Sequence, residues 1–350
     1  MQSQEILRRT LYDLERATFR LKESISEISG GKPRILFVAP HLSTGGMPQY
    51  LLKKIEILIA DAEIFCVQYS NTSDEYVVQR NQIKSILGDN FYCLGDDKGE
   101  LISIIERICP DVIHFDDFIE FFLSEDISEK IYHPSRPYFI FETCHSSNID
   151  PMDKVYCPDK FVMVNKWMVN RFKNLGVPTD ILEYPIEDFP RISQDEALAN
   201  LGLDPSKKHV INIGLFTPGK NQGELIEYAR EMTDLPIEFH FIGNTAPNFE
   251  DYWRPILSDL PSNCRLWGER HDTDKFYQAA DLFVFTSIWE LNPIVIKECL
   301  SWKTPILMRR LTPYMDSYDN NPLVSYLTSW DDYYDKERDI NSIKQILGFL

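Results

Sequence analysis

At 350 residues and 40.9 kDa the chain is too long for one ordinary core and suits about two domains. Its 43% hydrophobic and 26% charged residues form an ordinary globular mixture, which excludes a disordered, collagenous or disulfide-scaffold chain. With 36 Lys+Arg against 54 Asp+Glu the net charge is -18, which repels phosphate backbones and anionic headgroups; this argues against broad nucleic-acid or membrane-surface binding and leaves room for one local basic pocket.

The first 28 residues read as an amphipathic helix, ended by Gly30-Gly31. Leu7, Leu11, Leu14, Thr18, Leu21, Ile25 and Ile28 step by four and three, a heptad seam with one polar gap. Such a helix either packs on its own domain or joins a second copy in a homodimer, and a seam this short is marginal as a coiled coil. From Lys32 short apolar runs alternate with amphipathic stretches. Strands are predicted at Arg34–Pro40, Ile64–Tyr69, Phe91–Leu94, Val112–Phe115, Tyr138–Thr143 and Phe161–Asn165, with a helix over Pro48–Ala60. Strands apolar throughout and separated by helices mean a parallel sheet covered on both faces.

Leu182–Pro190 breaks the pattern with two prolines and reads as the connection between domains, with residues 183–190 as hinge. The pattern then restarts, with strands at Val210–Ile213, Ile237–Ile242, Arg265–Trp267, Leu282–Thr286 and Pro305–Met308 and helices near Gln222–Glu231, Asp274–Ala280 and Pro293–Ser301. The expected organisation is a helix over 1–31, a Rossmann-like domain over 32–182 and a second over 191–350, facing each other across a cleft, with ligands outside the carboxyl ends of the strands.

The seven cysteines (Cys66, Cys93, Cys109, Cys144, Cys157, Cys264, Cys299) form no CxxC pair, which fits free thiols in a reducing cytoplasm. No apolar run approaches the length of a membrane span, and charge from Glu5 onward predicts neither signal peptide nor anchor.

Three strand ends carry chemistry. After the first strand, Gly45-Gly46 before a helix lets the backbone approach an anion closely, although a Gly-Gly turn is also an ordinary connection. After Val210–Ile213 the loop Gly214–Gln222 sets Lys220 just before a helix, a point charge suited to a phosphate or simply a solvated loop lysine. After Leu282–Thr286, Asn292 and Pro293 have the chemistry of N-cap and first helical residue, which places Glu290 in the loop and Glu298 inside the helix. Two carboxylates so placed suit sugar hydroxyls, with helix amides between them for a phosphate; a capped surface helix with incidental acids has the same pattern.

Glu290 and Glu298, separated by seven residues and following an apolar strand, resemble the signature of family-4 retaining glycosyltransferases of GT-B fold (glycosyl transferases group 1). Residues 35–40 with Gly45-Gly46, Thr143-Cys144-His145, Gly214 through Lys220 and Phe241–Asn244 resemble that family's other motifs in the same order, over most of residues 33–310. The resemblance implies a nucleotide diphosphate sugar as donor substrate, a hydroxyl acceptor (glycan, glycolipid or small molecule), no metal, no further cofactor, and a place in polysaccharide biosynthesis. It implies that Lys220 binds the diphosphate and Glu298 the ribose. Glu290 with the amides of Leu291 and Asn292, beside Pro293, would hold the sugar. Gly46, preceded by Gly45, would give an amide to the phosphates, and His145 would contact the sugar. Arg270 and His271 would stand near the base.

Two positions depart from the family. Leu215 stands where arginine usually follows the loop glycine, and Asn292-Pro293 where Phe-Gly is usual. Losing a phosphate cation weakens leaving-group stabilisation, so either the chain is a catalytically inert module that binds nucleotide or glycan and acts through protein interaction, or Arg309 or Arg310, after the Pro305–Met308 strand, supplies the charge. Asp272-Thr273-Asp274 matches the Asp-x-Asp of metal-dependent transferases but reads as helix caps. Asp96-Asp97 and Asp116-Asp117 read as solvated or cleft-edge acids.

Overall fold

The computed structural model describes residues 31–43, 45–69, 77–184, 186, 190–328 and 334–350. The predicted N-terminal helix with its dimer seam, and half of the hinge (185 and 187–189), lie outside the described residues. The chain divides into two units, Met1–Pro185 and Ile186–Leu350.

In the first unit β1 (Arg34–Ala39), β2 (Glu63–Gln68), β3 (Phe91–Cys93), β4 (Val112–Asp116), β5 (Phe139–Thr143), β6 (Lys160–Met163) and β7 (Thr179–Ile181) form one parallel sheet in the order β3-β2-β1-β4-β5-β6-β7. The intervening helices are α1 (Gly46–Leu58), α2 (Val78–Leu87), α3 (Glu100–Ile108), α4 (Glu125–Ile131) and α5 (Lys166–Phe172). Strand alternation explains the two covered faces: Leu36 and Val38 join Ile104, Ile105 and Ile108 of α3, while Ile35, Phe37 and Ala39 join Leu51, Leu52 and Ile55 of α1. In α3, Leu101, Ile104, Ile105 and Ile108 are all buried, one stripe at helical spacing. Cys109 ends that helix in the left-handed region at φ 47, just ahead of Pro110.

The second unit repeats the plan. β8 (Lys208–Ile213), β9 (Ile237–Ile242), β10 (Cys264–Gly268), β11 (Leu282–Phe285), β12 (Ile306–Met308) and β13 (Val324–Tyr326) lie in the order β10-β9-β8-β11-β12-β13, again with parallel pairing throughout. Its helices are α6 (Gln194–Leu201), α7 (Gln222–Arg230), α8 (Glu250–Ser258), α9 (Thr273–Ala279), α10 (Ile294–Trp302), α11 (Met315–Tyr318) and α12 (Lys336–Ile346). Both units use the same device to register their central strands. Asp111, ahead of β4, accepts from Arg34 N at 2.8 Å, and Asp281, ahead of β11, accepts from His209 N at 2.9 Å. The C-terminal helix packs within the second unit, Ile340, Ile343 and Leu347 joining Leu225, Phe239 and Val284.

The edge strands β7 and β13 and the helices α2, α3, α4, α5, α6, α8 and α11 were not among the elements predicted by range. Thr179-Asp180-Ile181 and Val324-Ser325-Tyr326 lack the apolar run that marks β3 and β12, which are equally short.

Candidate functional site

In each unit the strand order reverses beside its first strand, between β1 and β4 and between β8 and β11. The carboxyl edge at such a reversal is where doubly wound sheets take ligands.

In the second unit the β8 loop is folded back tightly. Gly214 N donates to Ile242 O and Phe216 N to Asn244 O, both at 2.9 Å, and Lys220 N and Asn221 N each turn back to Thr217 O at 3.1 Å. The methylenes of Lys220 run across Gly214, 3.6 Å from where a β-carbon would stand. Gly243 faces the same turn at φ +145, and a β-carbon on it would lie 2.1 Å from Gly214 O. Gly243→Ala is therefore expected to cost more than about 2 kcal/mol and to displace the Lys220 loop, read as a lowered thermal midpoint; a variant melting with the wild type would refute the close approach.

The β8 and β11 loops are laced together. Ile288 N donates to Gly219 O at 2.8 Å, Thr286 Oγ1 to Lys220 O at 3.0 Å, and Lys220 Nζ to the Glu290 carboxylate. Lys220 keeps 30% of its side chain exposed and Glu290 11%, so a solute can reach the pair. Trp289 is 63% exposed and lies over Gly219. Of the predicted donor-site residues, the structure thus brings Lys220 and Glu290 into contact, with Leu291 and Pro293 buried beside them.

Pro293 has ψ 117, so α10 starts at Ile294, one residue later than expected, and Asn292 is not its N-cap. An extended Pro293 is itself the capping position, with its carbonyl accepting from Ile296 N at 3.3 Å. Glu298 lies one turn inside α10 and accepts from Tyr277 OH at 2.9 Å. Tyr277 is a partner that sequence reasoning missed, because an apolar-looking helix position gave no sign of it.

The remaining predicted cations have other partners. Arg270 forks onto Asp272 through two bonds of 2.8 Å and lies over the rings of Trp267 and Phe276, while His271 is exposed. That fork holds the Asp272 carboxyl below its ordinary range. Asp272 does precede α9, but its side chain makes no capping bond. Arg309 is 3% exposed and pairs with both Glu224 oxygens at 2.8 and 2.6 Å, and Arg310 pairs with Asp319 at 2.5 Å. Arg309 is thus held in the interior by a carboxylate, whereas Arg310, with 51% of its side chain exposed, pairs with a carboxylate at the surface.

Among the described residues one trio could ligate a metal, His209, Glu238 and His240. Its nitrogens already form a relay. Trp267 Nε1 can only donate, so His240 Nδ1 accepts at 3.2 Å; His240 Nε2 then donates to His209 Nδ1 at 3.0 Å, and His209 Nε2 to Asp204 O at 2.9 Å. A metal on His240 Nε2 would leave that ring without a proton on either nitrogen. Burial, with His209 and Arg265 nearby, lowers His240 to about 3, in keeping with a neutral ring.

At the equivalent edge of the first unit, Gly45 takes φ 149 and Gly46 opens α1. His145, after β5, is 8% exposed in its side chain; its Nδ1 meets Tyr184 OH at 2.7 Å and its Nε2 lies 3.6 Å from Asp116. Asp116, the last residue of β4, is fully buried and accepts from Lys54 at 2.5 Å, so of its two readings, solvated or cleft-edge, the solvated one is corrected. Burial alone would raise its carboxyl, but the Lys54 ammonium and His145 hold it well below the usual range. The orphan signal for this cluster was Lys54 itself, a charge on the apolar face of a helix.

Residues 207–325 match the family model described as glycosyl transferases group 1. The chain is 28% identical over 144 residues to the processive diacylglycerol alpha-glucosyltransferase of Acholeplasma laidlawii, covering 40% of this chain and 41% of that protein. It is 39% identical over 102 residues to the lipid-A-disaccharide synthase of Geobacter metallireducens, covering 27% and 26%. The chain thus spans less than half the length of these curated relatives. Among solved structures, Anabaena Alr3699/HepE in complex with UDP and glucose superposes with a TM-score of 0.68 at 13% identity, covering 90% of each chain. A glycosyltransferase from Rickettsia africae superposes with a TM-score of 0.64 at 13% identity, covering 91% and 89%.

Proposed function

We propose, for a chain whose residues 207–325 belong to the glycosyl transferases group 1 family and whose two Rossmann-like units have the GT-B pattern, that it is a retaining glycosyltransferase acting without a metal. The donor is a nucleotide diphosphate sugar and the acceptor a hydroxyl of a glycan, glycolipid or small molecule, in the cytoplasm; two of the relatives make glycolipids by name. The observation that carries this reading is the Lys220–Glu290 pair on two laced loops at the point where the strand order reverses.

In this mechanism the bond from the anomeric carbon to the diphosphate breaks as the acceptor oxygen bonds to the same carbon on the same face. The acceptor proton passes to the departing phosphate oxygen. Lys220 meets the negative charge that grows on the diphosphate, and Glu290, released from Lys220, accepts from sugar hydroxyls. Glu298 accepts from the ribose, oriented by Tyr277. No helix among the described residues is long and apolar enough to cross a membrane.

Leu215, at the place of a usual arginine, favours the second reading of an inert nucleotide- or glycan-binding module, the more so because Arg309 and Arg310 are held elsewhere. Thermal unfolding against UDP, GDP, ADP, CMP, dTDP and their sugar conjugates, with and without Mg²⁺, tests both. A ligand at a hundred times its Kd adds about 2.7 kcal/mol. A metal-independent shift with one nucleotide family, followed by release of that nucleotide when an acceptor is supplied, is the expected result. Binding without any turnover selects the inert module, and no shift with any compound overturns the donor assignment.

A further inference from the structure

Arg309, which directly follows β12, is engaged inside the second unit. Its guanidinium is buried against Glu224 of α7, with Nη2 at 2.8 and 2.6 Å from the two carboxylate oxygens and Nη1 donating to Thr328 O at 2.7 Å. Glu224 in turn accepts from Asn221 Nδ2 at 2.6 Å and from Tyr228 OH. Tyr228 OH also reaches Asp339 at 3.0 Å, and Asp339 accepts from Thr328 N and Oγ1, both at 2.8 Å. Asn221 is the residue directly after Lys220, and it sits in the left-handed region at φ 53, where few side chains go without local support.

We propose that the buried Arg309–Glu224 pair is a positioning device for Lys220. Arg309 orients the Glu224 carboxylate, the carboxylate holds the Asn221 amide, and the held Asn221 fixes the turn that delivers Lys220 to the diphosphate. A charged pair in this place has a cost in desolvation that an apolar pair would avoid, and a buried pair is weak support for stability in itself. What it supplies is one fixed orientation at the foot of a catalytic loop that leaves β8 through two glycine-dependent contacts. Arg309 therefore acts through Asn221 and touches no substrate. The proposal rests on the donor-site reading of Lys220, and it accounts for a buried arginine at a strand end without requiring it to replace the missing loop cation.

Two variants test it. Asn221→Gly keeps the left-handed turn and removes the tether. The double variant Arg309→Met/Glu224→Met removes both charges together, so that neither is left unpaired in the interior. Hydrogen exchange of the 214–221 amides and the affinity for a free nucleoside diphosphate are measured in the full chain. Both variants are expected to show at least about tenfold faster exchange in that segment and about tenfold to a hundredfold weaker binding, the worth of one charge-assisted contact, with no matching change in β9 or β11. Combining all three substitutions should add little to the loss, because the residues act in series.

Wild-type exchange in a folded double variant overturns the proposal. Weaker binding with unchanged exchange would mean that Arg309 or Glu224 meets the ligand itself, which also overturns it, as does faster exchange with wild-type affinity. Should the double variant fail to fold, Asn221→Gly decides by the same two readouts. If the wild type binds no nucleoside diphosphate, the donor reading falls, and the exchange data alone decide whether the pair holds the loop.

Discussion

Lys220→Ala is expected to abolish stabilisation by a nucleoside diphosphate and to lower kcat by about 10²–10³-fold, the usual loss when one preorganised donor to developing charge is removed. Glu290→Gln should act in the opposite sense on the bare nucleotide. In the unliganded site the Lys220 ammonium already donates to Glu290, so a diphosphate competes with a carboxylate for its charge. Glutamine at 290 weakens that competitor, and the bare diphosphate should bind about tenfold tighter, near the worth of one charge-assisted hydrogen bond. The sugar nucleotide should gain nothing and transfer should fall, because the acceptor of the sugar hydroxyls has lost its charge. Calorimetric titration with the diphosphate and with its sugar conjugate separates the two effects. Equal weakening of both ligands in Glu290→Gln would show that the ion pair does not gate the site. Unchanged binding in Lys220→Ala would remove Lys220 from the donor site altogether.

The sheets were legible because their central strands are apolar throughout and their helices carry one stripe, as β1 and α3 show. The predicted site residues that lie on strand-end loops were legible for a related reason: Gly214, Lys220 and Glu290 stand at fixed offsets from strands whose ends the hydrophobic pattern marks. What the pattern could not carry is pairing across sequence distance. Nothing local says that Arg309 reaches Glu224, 85 residues away, or that Lys54 reaches Asp116, 62 residues away. Both arginines after β12 were therefore read by charge and position alone, as free cations. The helix start at Ile294 fails for a local reason, since a proline fixes φ but leaves ψ to its surroundings. Edge strands as short as Thr179–Ile181 owe their pairing to the neighbour, not to their own composition.

Acidification should unfold the second unit before the first. His240, lowered to about 3 by burial, stays neutral in the folded protein, whereas in the unfolded chain it takes a proton near 6.5. Its contribution is complete above that value and is lost as pH falls toward 3, at about 1.4 kcal/mol per pH unit. Asp274, raised by burial, opposes this, but it is half-buried and solvent blunts its effect. The first unit has the same liability in His114, also lowered to about 3 by burial and by Lys54. There, however, Glu142 is pushed by burial up to about 7, from 4.5. A raised carboxyl binds its proton in the folded state first, so its contribution grows as pH falls from 7 to 4.5 and offsets His114 over that window. His41, lowered by burial, and Asp117, raised by burial, form a second opposed pair in the same unit. Below pH 4.5 the offset ends, and further down protonation of Asp116 away from Lys54 adds to the loss. Urea unfolding at pH 7, 5.5 and 4.5, followed by hydrogen exchange in peptides of each unit, should show the second unit weakening steadily while the first holds level to about pH 4.5. Trp267 gives a local signal, because its indole donates to His240 only while that nitrogen carries no proton. His240→Gln should flatten the slope of the second unit; an unchanged slope, or parallel loss in both units, would place the acid sensitivity elsewhere.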